Sequence, residues 1–151
     1  MYSSRVTVND HKDDMTQPAR QFSLDPWAVS STYELPSRPS SARLARRLAR
    51  GAMGGCTEPM VETAELLITE LIANAVRHAG SPPIMRIDVD SGTVRIAVSD
   101  TSSQAPGIRH TDLEDEGGRG LLLVESLATS WGWTRTTDGK SIWFTLNGNA
   151  A

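Results

Sequence analysis

The sequence predicts an α+β domain, a two-layer α/β sandwich in which a mixed, mostly antiparallel sheet carries helices on one face. Three observations lead there. A helical period runs through Glu65–Ala79. Two alternating runs, Ile84–Asp90 and Thr93–Asp100, meet at Ser91-Gly92. A further pair, Trp131–Thr137 and Lys140–Leu146, closes around Asp138-Gly139. Helices followed by a hairpin, a helix and a second hairpin must share one core, and hairpins bring antiparallel strands.

Size and charge bound the reading. A chain of 151 residues suits one domain with a self-sufficient core, and a net charge of -3 points to neither nucleic acid nor a membrane surface as a direct partner. Cys56 stands alone in a Gly-Gly-Cys-Thr stretch, which excludes an internal disulfide framework and fits a free loop thiol. Met1–Asp14 lacks the apolar segment of a secretory signal, and no run approaches the ~18 apolar residues of a membrane span, so a cytoplasmic place is expected.

Residues 1–30 read as a disordered or extended leader, residues 31–147 as the folded domain and 148–151 as a short tail. An edge strand is expected near Ser31–Leu35. After Pro36 and Pro39, Ser40 or Ser41 can cap a helix to about Met53, with Leu44, Ala45, Leu48 and Ala49 inward and Arg43, Arg46, Arg47 and Arg50 on the other face. That basic face is either solvated or a docking surface.

Gly51, Gly54 and Gly55 end this helix, and Thr57 or Glu58 followed by Pro59 restarts the chain as the long helix, which Gly80-Ser-Pro-Pro stops. Leu67, Ile68, Leu71, Ile72, Ala75 and Ala79 form its core stripe. In the first hairpin Met85, Ile87 and Val89 share one face and Val94, Ile96 and Val98 share one face of the partner strand. Residues 101–117 have no usable period and end in an acidic run, which marks a functional or moving loop. A helix follows over Leu121–Ala128. Asp138-Gly139 reads as a type I′ turn.

Three features carry chemistry. Glu70, Asn74 and His78 follow at i, i+4 and i+8, so they line up beside the apolar stripe. They offer a proton acceptor, an oxygen ligand for a hard cation and an imidazole, or else form a plain solvated helix edge. Asp100, at a strand end, can accept from an exocyclic amine or cap its own loop. Gly117-Gly118-Arg119-Gly120-Leu121 before a helix either offers N–H groups and a cation to a phosphate or makes a tight turn.

The order of these features resembles the nucleotide site of the GHKL (Bergerat-fold) ATPases, and within them the anti-sigma-factor serine/threonine kinase branch with its small actinomycete-type regulators. Thr69-Glu-Leu-Ile-Ala-Asn-Ala-Val-Arg-His-Ala79 is similar to that branch's first box, Val98-Ser-Asp100 with Pro106 to the second, and Gly118-Arg-Gly-Leu121 to the third. Trp131-Gly132 and Gly139-Lys-Ser-Ile-Trp143 are similar to its closing strands, so the resemblance spans about residues 31–146.

The resemblance implies ATP and Mg²⁺ as cofactors and a role for each matching residue. Glu70 would be the general base, Asn74 the Mg²⁺ ligand and Asp100 the acceptor for the adenine amino group. Gly118 and Gly120 would supply phosphate donors. Arg77, His78, Pro106, Arg119 and Leu121 would complete the nucleotide-binding set, with His78 in either a direct or a structural place. Such chemistry needs positioning, a hard cation and a base.

The sequence also departs from the pattern. The second box of the kinases reads Asp-x-Gly-x-Gly, whereas Ser102 and Gln104 stand at the two glycine positions here. The acidic run Asp112, Glu114, Asp115, Glu116 brings no cation to a γ-phosphate, leaving Arg77, Arg109 or Arg119 for that task. The implied function is a kinase acting on an anti-sigma-factor antagonist, with a sigma factor as a further partner and a homodimer compatible with the family. The alternative is a nucleotide-gated protein-binding regulator, weak or inactive as a kinase.

Overall fold

The structure, a computed structural model, describes residues 29–78, 80–102 and 116–148, the backbone alone for 116–119. Among them run, in order, β1 (Val29–Glu34), α1 (Ser41–Ala52), α2 (Glu58–His78), β2 (Ile84–Asp90), β3 (Thr93–Asp100), α3 (Glu116–Leu127), β4 (Ser130–Arg135) and β5 (Lys140–Asn147). Residues 1–28 of the expected leader, most of the long loop with Pro106 and Arg109, and Ala79 lie outside the described residues, whereas Val29 and Ser30, expected in the leader, begin β1.

The expected sandwich is present, with a five-stranded sheet in the order β1-β2-β3-β5-β4. Every neighbouring pair is antiparallel, so the sheet is not mixed. The reason lies in the last crossover. β3 and β4 run the same way, as a helical connection requires, but the closing hairpin inserts β5 between them.

Side-chain parity decides what faces the helices. In register, Ile87, Ile96 and Phe144 stand side by side, as do Met85, Val98 and Ile142, and all six are buried. α2 covers this face with Met60, Val61, Ala64, Leu67, Ile68, Leu71, Ile72 and Ala75, and α3 adds Leu121 and Val124. Each large side chain fully removed from water contributes about 1.5–3 kcal/mol.

α1 docks on α2 through Ala45 and Ala49, with Leu44 and Leu48 partly buried beside them. Its basic face is partly consumed in that docking. Arg46 donates to Thr69 Oγ1 at 2.9 Å, and Arg50 bridges Glu58 and Glu65 at the surface. Neither serine caps α1 with its side chain. Ser40 occupies the N-cap position in helical geometry without a capping bond, while the Ser41 hydroxyl donates to the Pro36 carbonyl.

The type I′ turn expected at Asp138-Gly139 stands instead at the other tight connection. Ser91 (φ 49°) and Gly92 (φ 86°) are the residues with positive φ among those described, so the left-handed pair of a type I′ turn joins β2 to β3. Asp138-Gly139 is no such turn. Thr136 N–H donates to the Gly139 carbonyl, and the Gly139 N–H donates to Thr136 Oγ1, closing a longer loop. Gly139 meets a different demand there: a Cβ at that position would overlap the Asp100 carbonyl oxygen and lie 2.5 Å from the Thr101 Cα.

Candidate nucleotide site

α2 sets the first part of the site. Its inward stripe holds the helix against the sheet, and this fixes the line one step around the cylinder that carries Glu70 and Asn74, both partly buried. His78, the last residue of α2, is exposed; with Arg77 it fills the final turn, where cations suit the helix dipole. The ladder therefore divides into two half-sheltered groups and one at the surface.

Asn74 Oδ1 is buried and has no hydrogen-bond partner among the described residues. Leaving a carbonyl oxygen so costs about 1–3 kcal/mol. A neutral oxygen donor shielded from water, four residues beyond a carboxylate, fits a hard cation that takes most of its other ligands elsewhere. The described residues contain no cluster of three or more His, Cys, Asp or Glu groups for a metal, so a cation here would complete its shell with phosphate oxygens and water.

α3 sets the second part. It begins at Glu116, five residues earlier than the period of its leucines suggests, so Gly117, Gly118 and Gly120 lie inside its first turns. Glycine is a poor helix former, and packing against α2 outweighs that preference. Gly118 falls where helix N–H groups lack partners within the helix, while the Gly120 N–H falls to the helix's own ladder. Gly120 instead gives clearance: a Cβ there would stand 3.0 Å from Glu70 Oε1 and 3.2 Å from Glu70 Cβ. The first and third boxes thus meet in space. Among the described residues no hydrogen bond or ion pair occupies the Glu70 carboxylate. Leu121 turns its side chain into the core.

Asp100 makes the third part, and it is not alone. Lys140 Nζ donates to both of its carboxylate oxygens at 3.1 Å, and the Ser102 N–H donates to Oδ1 at 2.8 Å. The Lys140 and Asp100 side chains are both buried, at 6% and 5% exposure. Sequence reasoning assigned Lys140 no role. A signal was available: it shares inward parity with Ile142, Phe144 and Leu146, just as Asp100 does with Val94, Ile96 and Val98. What no single strand shows is that the two are register partners at one end of the sheet.

A groove of about 300 Å³ lies elsewhere, lined by Thr57, Pro59, Met60, Leu127 and Leu146 among others at the N-terminal end of α2. It shares no lining residue with the three boxes.

Comparison with known proteins shows the family and the fold. The family model described as a histidine kinase-like ATPase domain matches residues 35–146. An uncharacterized protein of Streptomyces coelicolor is 30% identical over 80 residues, which cover 50% of this chain and 76% of the relative. The crystal structure of the RsbU and RsbW domains of a Mycobacterium tuberculosis protein superposes with a TM-score of 0.61 at 20% identity, and that match shows the fold. It covers 79% of this chain and 32% of the other, so this chain spans about a third of that structure. The histidine kinase domain of an Erythrobacter litoralis blue-light activated histidine kinase aligns over 75% of this chain and 61% of its own, at 19% identity and a TM-score of 0.48.

Proposed function

Because the chain belongs to the histidine kinase-like ATPase domain family, we propose that it binds ATP with Mg²⁺ and transfers the γ-phosphoryl group to a serine or threonine of a protein antagonist of an anti-sigma factor. The observation that carries this reading is the α2 line: an Asn74 oxygen buried without a partner, one turn from a Glu70 carboxylate that no described group engages. An RsbW domain among the fold neighbours supports the choice of partner, and a sigma factor is the second partner that the resemblance of the three boxes implies.

In this reading Asn74 Oδ1 would hold the cation, which when bound would neutralise phosphate charge. The N–H groups at the start of α3, Gly118 among them, bind phosphate oxygens at the positive end of the helix dipole. Asp100 accepts from the adenine amino group. Glu70 takes the proton from the incoming hydroxyl as its oxygen bonds to the γ-phosphorus and the bond to the β–γ bridging oxygen breaks, with ADP leaving. The reading goes with a cytoplasmic location and leaves room for a homodimer.

The test is phosphorylation of a serine-bearing antagonist by the purified chain, with Glu70→Gln and Asn74→Ala beside it. Glu70→Gln should lose transfer and keep ATP binding, whereas Asn74→Ala should lose the magnesium-dependent part of binding. Transfer that survives Glu70→Gln unchanged refutes the kinase reading. One observation favours the second reading, a nucleotide-gated binder: Ser102 and Gln104 replace the glycines that would let backbone approach the nucleotide. Partner regulation that is intact in Glu70→Gln would select it.

A further inference from the structure

We infer that Lys140 is a positioning residue of the base subsite, holding the Asp100 carboxylate so that one lone pair of Oδ2 faces a purine 6-amino group. The inference rests on the ATP reading above and adds to it the group that sets base selectivity.

The hydrogen-bond inventory carries it. An ionised carboxylate has about four acceptor sites, two on each oxygen. Oδ1 accepts from Lys140 Nζ and from the Ser102 N–H, which fills it. Oδ2 accepts from Lys140 Nζ, which leaves one site. The remaining lone pair accepts an N–H and repels a carbonyl oxygen, so it separates a 6-amino from a 6-oxo purine.

The backbone makes this arrangement stiff. Asp100 and Lys140 are directly opposite in the β3–β5 ladder, at the ends of two core-facing rows. Gly139, just before Lys140, packs so closely on Asp100 and Thr101 that no side chain fits between them. The start of β5 is therefore clamped onto the end of β3, and the ammonium has little freedom to leave the carboxylate. A carboxylate buried at a sheet end without a cation would be strongly unfavourable; the lysine makes an acceptor at that place tolerable.

A purely structural ion pair would support folding and leave base selection untouched, so selectivity is the measurement. Calorimetric titration of the full chain with Mg²⁺ would compare ATP, GTP and purine riboside triphosphate, which lacks the 6-amino group. Wild type should bind ATP at least about tenfold more tightly than purine riboside triphosphate. In Lys140→Met that ratio should fall toward one, with purine riboside triphosphate affinity changing less than about threefold, and Lys140→Arg should restore it.

Lysine-labelled wild type in NMR needs no variant. ATP should move the Lys140 side-chain resonances, and purine riboside triphosphate should move them far less. Full discrimination in folded Lys140→Met, or ATP binding that leaves those resonances still, overturns the role of Lys140 while ATP binding stands. Wild type that binds no nucleotide overturns the ATP reading and this inference with it.

Discussion

Gly120 of α3 lies against Glu70 of α2 so closely that a methyl group on the glycine would stand 3.0 Å from the Glu70 carboxylate. Two sequence boxes separated by the whole of the first hairpin thus form one contact. The contact has a chemical consequence, because the carboxylate it borders is the group proposed to accept a proton.

Gly120→Ala should therefore separate stability from activity. Alanine gains about 1 kcal/mol of helix preference, and the overpacking it causes costs about 1–3 kcal/mol, so the net loss should stay within about 2 kcal/mol. The Glu70 carboxylate must turn aside, and the Glu70 Cβ, 3.2 Å from the new methyl, must give by a few tenths of an ångström with the helix. Phosphoryl transfer should fall by about tenfold or more, since displacement of a reacting group by about 1 Å costs up to about a hundredfold. Urea unfolding and a transfer assay on the same sample check both halves.

Gly139→Ala meets backbone instead. Its Cβ would overlap the Asp100 carbonyl oxygen, and neither the end of β3 nor Thr101 can swing away as a carboxylate can. A loss of more than about 2 kcal/mol is expected from such overpacking, read as a lower denaturant midpoint. A midpoint equal to wild type would mean that the two strand ends are not clamped.

Removing one partner of the Asp100–Lys140 pair should cost about 3–5 kcal/mol, because both side chains are nearly free of solvent. Lys140→Met should show this cost, and adding Asp100→Asn should recover much of it by removing the stranded charge. A double variant no more stable than Lys140→Met alone would contradict a coupled pair, as a thermodynamic cycle on the four proteins would reveal.

Glu58 gives a pH prediction. The hydrogen bond from Arg50, reinforced by its charge, holds the Glu58 carboxyl below the ordinary carboxylate range. A depressed value in the folded state means the pair contributes above the ordinary carboxylate value and is lost as pH falls through the folded one. Both groups are exposed, so the effect on stability is slight. Arg50→Gln should move the Glu58 midpoint upward in a carboxyl NMR titration.

Cys56 should react slowly with a thiol reagent at neutral pH. Burial pushes its thiol up, and among the described residues no basic partner draws it back. Its reaction rate should climb steadily as the pH is raised past the ordinary thiol value near ~8.5.

Much of this fold was legible in the sequence because it rests on periodicity. The stripe Leu67, Ile68, Leu71, Ile72 and the alternation in Ile84–Asp90 and Thr93–Asp100 are local patterns, and burial follows them. The start of α3 was not legible, since three glycines argue against a helix unless α2 packs there, and α2 is distant in sequence. The I′ turn was misplaced for a related reason. Asp-Gly is the stronger local signal, yet Gly139 answers to Asp100 across the sheet and not to its own turn.

By itself, then, the sequence determined the elements, the inward faces and the line Glu70, Asn74, His78, because each depends on residues within a few turns or one hairpin. Tertiary structure decided which strand β5 would pair with, which gave Asp100 its lysine, and where α3 would lie on α2, which gave Glu70 its glycine. Those partnerships join residues 40 and 50 positions apart. Only the register of β3 against β5 and the packing of α3 on α2 bring them within bonding distance, and neither is encoded by any one segment.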